Sequence, residues 1–247
     1  MSFLEPDAEF IGRVTRGLEG WLTDDDAEVT ADLLRLQEAT ERDAPLLEIG
    51  VYCGKYLSLL MASGARTGSR VLGIDTFQFK DLTTVKAGLV SIVPDLMPGL
   101  SLHAVSSREL TPESLLDMLG SPARFISVDG SHDYADVVHD LRLVEATLAP
   151  GGLVAVDDFL NPLTLGVNRA VNAFMESQPG LVGVACGVNK LFLARPAHAG
   201  RYRERLERHL LETPKHRGDV FRSRLATWRG LVEQDFFSAP VLLYTGR

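Results

Sequence analysis

Four side chains near the middle of the chain have the types and spacing for metal chemistry: Asp129, His132, Asp157 and Asp158. An apolar run containing Phe125, Ile126 and Val128 stops at Asp129, and a second, Leu153 to Val156, stops at Asp157 and Asp158. Asp157 follows Asp129 by 28 positions, which suits one right-handed crossover through a helix. The two runs are then neighbouring parallel strands, and their C-terminal ends bring the three carboxylates together. That edge is where open α/β sheets bind ligands. Three converging carboxylates repel one another unless something neutralises them. A hard divalent cation such as Mg²⁺ does so, because it favours oxygen ligands and keeps positions open for water or substrate. His132, on the loop that opens the crossover helix, is within reach of the same crevice. An aspartate at a strand end also caps helices with no further role, so the weight lies on the pairing of Asp129 with Asp157 and Asp158.

The elements that must position these groups begin at Pro45. LLEIGVYCGKYLSLLMA reads as a strand, a turn with Gly50 and Gly54, and a helix. Glycines there let the backbone approach a ligand closely beside a helix N-terminus. A second strand, Arg70 to Ile74, ends at Asp75, 25 positions after Gly50, about where a first βαβ unit places a carboxylate on a ribose. The motif Glu48-x-Gly50-x-x-x-Gly54 is not the G-x-G-x-x-G of a dinucleotide site, so it favours an adenosine-bearing ligand without phosphates. Leu100 to Val105 reads as a third strand ending in Ser106 and Ser107, hydroxyls that either border an adenine or cap a turn. Pro112 to Leu119 is the next helix, and a Pro-Gly-Gly turn precedes the strand at Leu153.

Before the core, the spacing predicts a helix over residues 6 to 20 and a second one capped by Thr23, with Asp24 to Asp26 at the positive end of its dipole. Beyond the core, Leu163 to Glu176 is helical, and Leu181 to Ala185 and Lys190 to Ala194 form an antiparallel edge pair. Asn161, in the loop after the two aspartates, is a candidate substrate contact. The tail carries helical candidates at Tyr202 to Leu211 and Phe221 to Phe237.

The fold class expected is α/β: a Rossmann-like, seven-stranded sheet with helices on both faces, an N-terminal helical cover (1–43), a ligand-binding core (44–196) and a C-terminal helical extension (197–247). At 247 residues, 45% hydrophobic and 23% charged, the chain buries a substantial core. A formal charge of −8 argues against a nucleic-acid surface. Met1 to Glu9 does not read as a secretory signal, and no apolar stretch is long enough for a membrane helix. Two cysteines make no disulfide framework, so the cytoplasm is the expected compartment. Oligomeric state is open, with a homo-oligomer compatible.

LLEIGVYCGK, VLGIDTF, VDGSHDY, LAPGGLVAVDDF and NKLFLA together resemble the class I S-adenosylmethionine-dependent methyltransferases. More narrowly, they resemble the metal-dependent O-methyltransferases of catechols and of macrolide and related antibiotic sugars. The resemblance spans Gly20 to Arg195 and implies a donor site of Glu48, Gly50, Tyr52, Gly54, Asp75, Ser106, Ser107 and Asp129. It implies Mg²⁺ on Asp129, Asp157 and Asp158, and His132 as the catalytic base. His132 and Asp158 stand where catechol enzymes have lysine and asparagine, which moves the expected acceptor toward a sugar or another hydroxylated natural product. Three alternatives remain open: a metal-independent small-molecule methyltransferase, a nicotinamide-dependent oxidoreductase, and a silent donor-binding scaffold.

Overall fold

The apolar runs pair into one sheet in the computed structural model, which describes residues 7–187 and 189–244. Its strands are β1 (Leu46–Ile49), β2 (Val71–Asp75), β3 (Leu100–Ala104), β4 (Ala123–Val128), β5 (Leu148–Asp157), β6 (Val182–Cys186), β7 (Lys190–Ala194), β8 (Glu233–Phe236) and β9 (Ala239–Leu243). They lie in the order β3-β2-β1-β4-β5-β7-β6-β9-β8. The first five run parallel, β7 is antiparallel to β5 and β6, and β9 lies parallel to β6 and antiparallel to β8. β1 and β4 are buried on both faces, which is why they read as continuous apolar runs rather than alternating ones.

Helices cover both faces. On one side α1 (Asp7–Gly17), α2 (Asp24–Thr40), α3 (Leu57–Thr67), α4 (Leu82–Ile92), α8 (Pro196–Glu212) and α9 (His216–Thr227) contribute to a core with Leu46, Phe125 and Leu153. On the other, α5 (Pro112–Leu119), α6 (Tyr134–Thr147) and α7 (Leu165–Glu176) pack on Leu47, Ile126 and Val154. The switch between adjacent residues follows from the two-residue period of a strand. Thr23 caps α2 as expected, its side chain accepting from the Asp26 N–H at 3.0 Å.

Three expectations are corrected. The sheet has nine strands among the described residues, the expected seven plus β8 and β9. The tail is α-helical only through Thr227, because Trp228 is extended (φ −168°, ψ 128°), and after one 3-10 turn at Arg229–Leu231 the chain enters a hairpin. Its second strand pairs with the open edge of β6 through Ala185–Leu242 and Cys186–Leu243, giving that edge a partner. Finally, β5 begins at Leu148, before the Pro-Gly-Gly segment. Its register against β4 jumps between Ala123–Leu148 and Phe125–Leu153, and a bulge is where a sheet tolerates proline. Among the described residues, no helix is long and apolar enough to cross a membrane.

Candidate functional site

The parallel pairing of β4 and β5 sets Asp129 just past one strand tip and Asp157 and Asp158 at the next. Asp129 is anchored by its own N–H, which donates to the Ile49 carbonyl at 2.7 Å. That approach needs Gly50, whose φ is +87° and where a Cβ would lie 1.8 Å from the Asp129 carbonyl oxygen. Asp158 also takes a left-handed backbone (φ +60°), and Asn189 Nδ2 bridges its Oδ1 and that of Asp157. One ligand atom each from Asp129, His132 and Asp158 fall within 4.8 Å of one another. His132 Nε2 lies 2.8 Å from Asp158 Oδ2. Asn161 and Asn189 donate to the other oxygen of Asp158 at 2.7 and 2.9 Å.

Asp157 is held differently. Its Oδ1 accepts from the Asp158 N–H at 3.0 Å and from Asn189 at 3.1 Å, and its Oδ2 faces the Lys190 ammonium at 3.1 Å. Burial works against the Asp158 charge, but the hydrogen bonds from His132, Asn161 and Asn189 outweigh it and bring its pKa down to about 2. The same contact with Asp158 raises the His132 pKa. Asp129 moves the other way, well above the ordinary carboxylate range, through burial and the neighbouring Asp157 charge. Burial pushes Glu48 up as well.

Beside this crevice, the Asp75 carboxylate accepts the Val51, Tyr52 and Phe77 N–H groups at 2.7, 2.9 and 2.6 Å. It therefore holds the turn that contains Gly50, Tyr52 and Gly54. Glu48 is buried, with Oε2 lacking a partner, as is Oγ of Ser127. Tyr52 has a positive φ of 48°, donates its hydroxyl to Glu19 and lies 6.1 Å, ring to ring, from Trp21. The cover thus reaches over the glycine turn. Ser106 and Ser107 are half-buried at the tip of β3, where the Ser107 carbonyl bonds His139 Nε2 at 2.9 Å. They stand apart from the carboxylate cluster.

Residues 47–159 match the family model described as "Methyltransferase domain". This segment is a methyltransferase domain. Solved structures share the surrounding fold. CalS11, a TDP-rhamnose 3'-O-methyltransferase of calicheamicin biosynthesis, aligns at 19% identity and TM-score 0.55 over 78% of this chain and 97% of its own. An O-methyltransferase from Bacillus cereus in complex with SAH gives 14%, 0.56, 77% and 91%. MycE of the mycinamycin pathway, in complex with Mg and SAH, gives 19%, 0.53, 78% and 55%. No curated protein matches the chain in sequence. The α/β architecture around the matched segment is the Rossmann-like fold of these O-methyltransferases.

Two groups at the site were not singled out as functional from the sequence, Lys190 and Asn189. Lys190 is the one charged residue in the apolar run KLFLA, and that is its signal. Pairing of Lys190 with Asp157 across β5 and β7 becomes visible only once the antiparallel register is known.

Proposed function

We propose that this protein transfers a methyl group from S-adenosylmethionine to a hydroxyl of a small molecule, a sugar or another hydroxylated natural product, with the help of a divalent cation, Mg²⁺. The observation that carries it is the convergence of Asp129, His132 and Asp158 at adjoining strand tips, next to a glycine turn held by Asp75. The carboxylates supply the oxygen ligands that a divalent ion takes, and the imidazole stands beside them. The partnerless Glu48 Oε2 is an acceptor left over at the foot of that turn, which suits a donor bearing an ammonium group. The calicheamicin and mycinamycin pathways of CalS11 and MycE support a natural-product acceptor, and the Mg bound by MycE supports the ion.

Bound there, the cation supplies Lewis acidity that lowers the pKa of an acceptor hydroxyl and fixes its position. Asp129, Asp157 and Asp158 would be the residues that hold it. His132, with Nε2 directed at Asp158, keeps Nδ1 as the nitrogen that takes the acceptor proton, and Asp158 stabilises the imidazolium that results. The glycine turn, Asp75 and the serines at the β3 tip hold the donor. Orientation of the two reactants is worth roughly 7 to 11 kcal/mol in favourable cases. In this reading residues 44–196 are the donor-binding core, 1–43 its cover and 197–247 an extension. The free cysteines Cys53 and Cys186 suit the reducing cytoplasm.

The test is transfer of labelled methyl from S-adenosylmethionine to a panel of nucleotide sugars and vicinal diols, with Mg²⁺ and after EDTA. We expect chelation to abolish turnover and Mg²⁺ to restore it, and His132→Ala to lower the rate by about 10² to 10⁴ while donor binding persists. Turnover indifferent to EDTA means a metal-independent methyltransferase instead.

A further inference from the structure

The face of the sheet that carries Glu48 also carries Asp129, Asp157 and Lys190, because the two-residue period of each strand brings them to one side. Lys190 is the buried cation among these acids: its side chain is 2% exposed, with Nζ 3.1 Å from Asp157 Oδ2 and 4.2 Å from the centroid of the Tyr56 ring. The Tyr56 hydroxyl is in turn fixed by Thr30 at 3.0 Å, so the ring presents its face to the ammonium from a locked position. Nζ makes no aligned hydrogen bond. An ion pair and a ring face are what hold it, and both position charge rather than satisfy donors. Its field reaches Asp129 and Glu48 as well.

Building on the cation reading above, we propose that Lys190 is a positioning residue that acts through Asp157 as the built-in counter-ion of the metal site. It fixes Asp157 before any divalent ion arrives and then competes with that ion for the same carboxylate, which holds the site at moderate affinity. Asp157 is consequently shared between a permanent ammonium and an exchangeable cation, whereas Asp158 meets His132, whose charge comes and goes with its proton, and the neutral Asn161 and Asn189.

The competition has a signature that loosened packing does not produce. Removing the ammonium tightens cation binding, while disordering the site weakens it. The probe is Mn²⁺, titrated calorimetrically and by electron paramagnetic resonance against the wild type and Lys190→Met, which keeps the length of the side chain. We expect Lys190→Met to bind Mn²⁺ at least about ten-fold more tightly, since an ammonium 3.1 Å from Asp157 Oδ2 no longer holds that carboxylate against the ion, an attraction that is strong even at an effective dielectric of about 20. S-adenosylhomocysteine binding serves as the check on the donor site and is expected to stay within about two-fold of wild type. Equal or weaker Mn²⁺ binding by folded Lys190→Met overturns the proposal.

Should Lys190→Met fail to fold, Asp157→Asn and the double substitution Asp157→Asn with Lys190→Met decide the matter. The double variant removes both members of the buried pair, which proteins tolerate better than losing one. With the contested carboxylate gone it is expected to bind Mn²⁺ within about two-fold of Asp157→Asn alone, and a ten-fold gain refutes action through Asp157. A wild type that binds no Mn²⁺ overturns the cation reading and this inference together, whereas a wild type that binds it as tightly as Lys190→Met overturns this inference alone.

Discussion

Substituting Gly50 with alanine tests whether the close crossing of β1 and β4 is what places Asp129. A Cβ there would sit 1.8 Å from the Asp129 carbonyl oxygen, 2.3 Å from its carbonyl carbon and 2.6 Å from the Gly130 Cα. All three atoms are backbone, so no rotamer change relieves the overlap. Reaching ordinary contact moves the Asp129 peptide by about 1.5 Å, with loss of the 2.7 Å bond from its N–H to Ile49. The positive φ of 87° adds strain of about 1 to 2 kcal/mol, and the broken buried hydrogen bond costs about 1 to 3 kcal/mol. A total near 3 kcal/mol lowers Tm by roughly 6 to 12 °C for a chain of this size. A displacement of more than an ångström at a carboxylate of the site costs on the order of 10²-fold in rate. Thermal melts and methyl-transfer assays on Gly50→Ala check both figures. A variant that melts with the wild type and turns over at its rate refutes the claim that this crossing is tight and that it positions Asp129.

The Asp158–His132 contact predicts a pH window. Asp158 is depressed to about 2, so its share of the pair's stability is present above the unfolded aspartate value and is lost as pH falls toward 2. His132 is raised, so its share is complete below the unfolded histidine value of about 6.5 and is lost as pH rises through the folded one. The difference in urea stability between wild type and Asp158→Asn is therefore expected to be largest from about pH 4 to 6.5 and to shrink on either side. A difference independent of pH removes the pair from the account. Two strands along from Lys190, the buried Tyr244 hydroxyl donates to Asp26 at 2.6 Å, tying the end of β9 to the start of α2. Tyr244→Phe deletes a hydrogen bond to a charged group worth about 1.5 to 3 kcal/mol, and a lower Tm with unchanged S-adenosylhomocysteine binding is expected. An unchanged melting temperature shows that the tail does not brace the cover.

Local pattern was enough for much of this molecule. Apolar runs that stop at Glu48-x-Gly50, Asp75, Asp129 and Asp157 announced parallel strands with polar tips. A strand buried on both faces is mostly apolar until it emerges, Glu48, Arg124 and Ser127 being the buried exceptions, so the emergence is written in the chain itself. Thr23 and the start of α2 were legible for an equally local reason, since a capping hydroxyl bonds an N–H three residues on. The tail hairpin was not legible. Glu233–Phe236 and Ala239–Leu243 are short, and what makes them strands is the open edge of β6 that receives Leu242 and Leu243. The division of labour among the three aspartates was also beyond the sequence. Asp157 and Asp158 are adjacent and chemically identical, and a left-handed backbone at Asp158 directs one toward His132 and leaves the other to Lys190. Charge and spacing decided which acids meet at the sheet edge. Only the packed structure, by putting Lys190 in register with Asp157, decided which of them meets a cation of the protein's own.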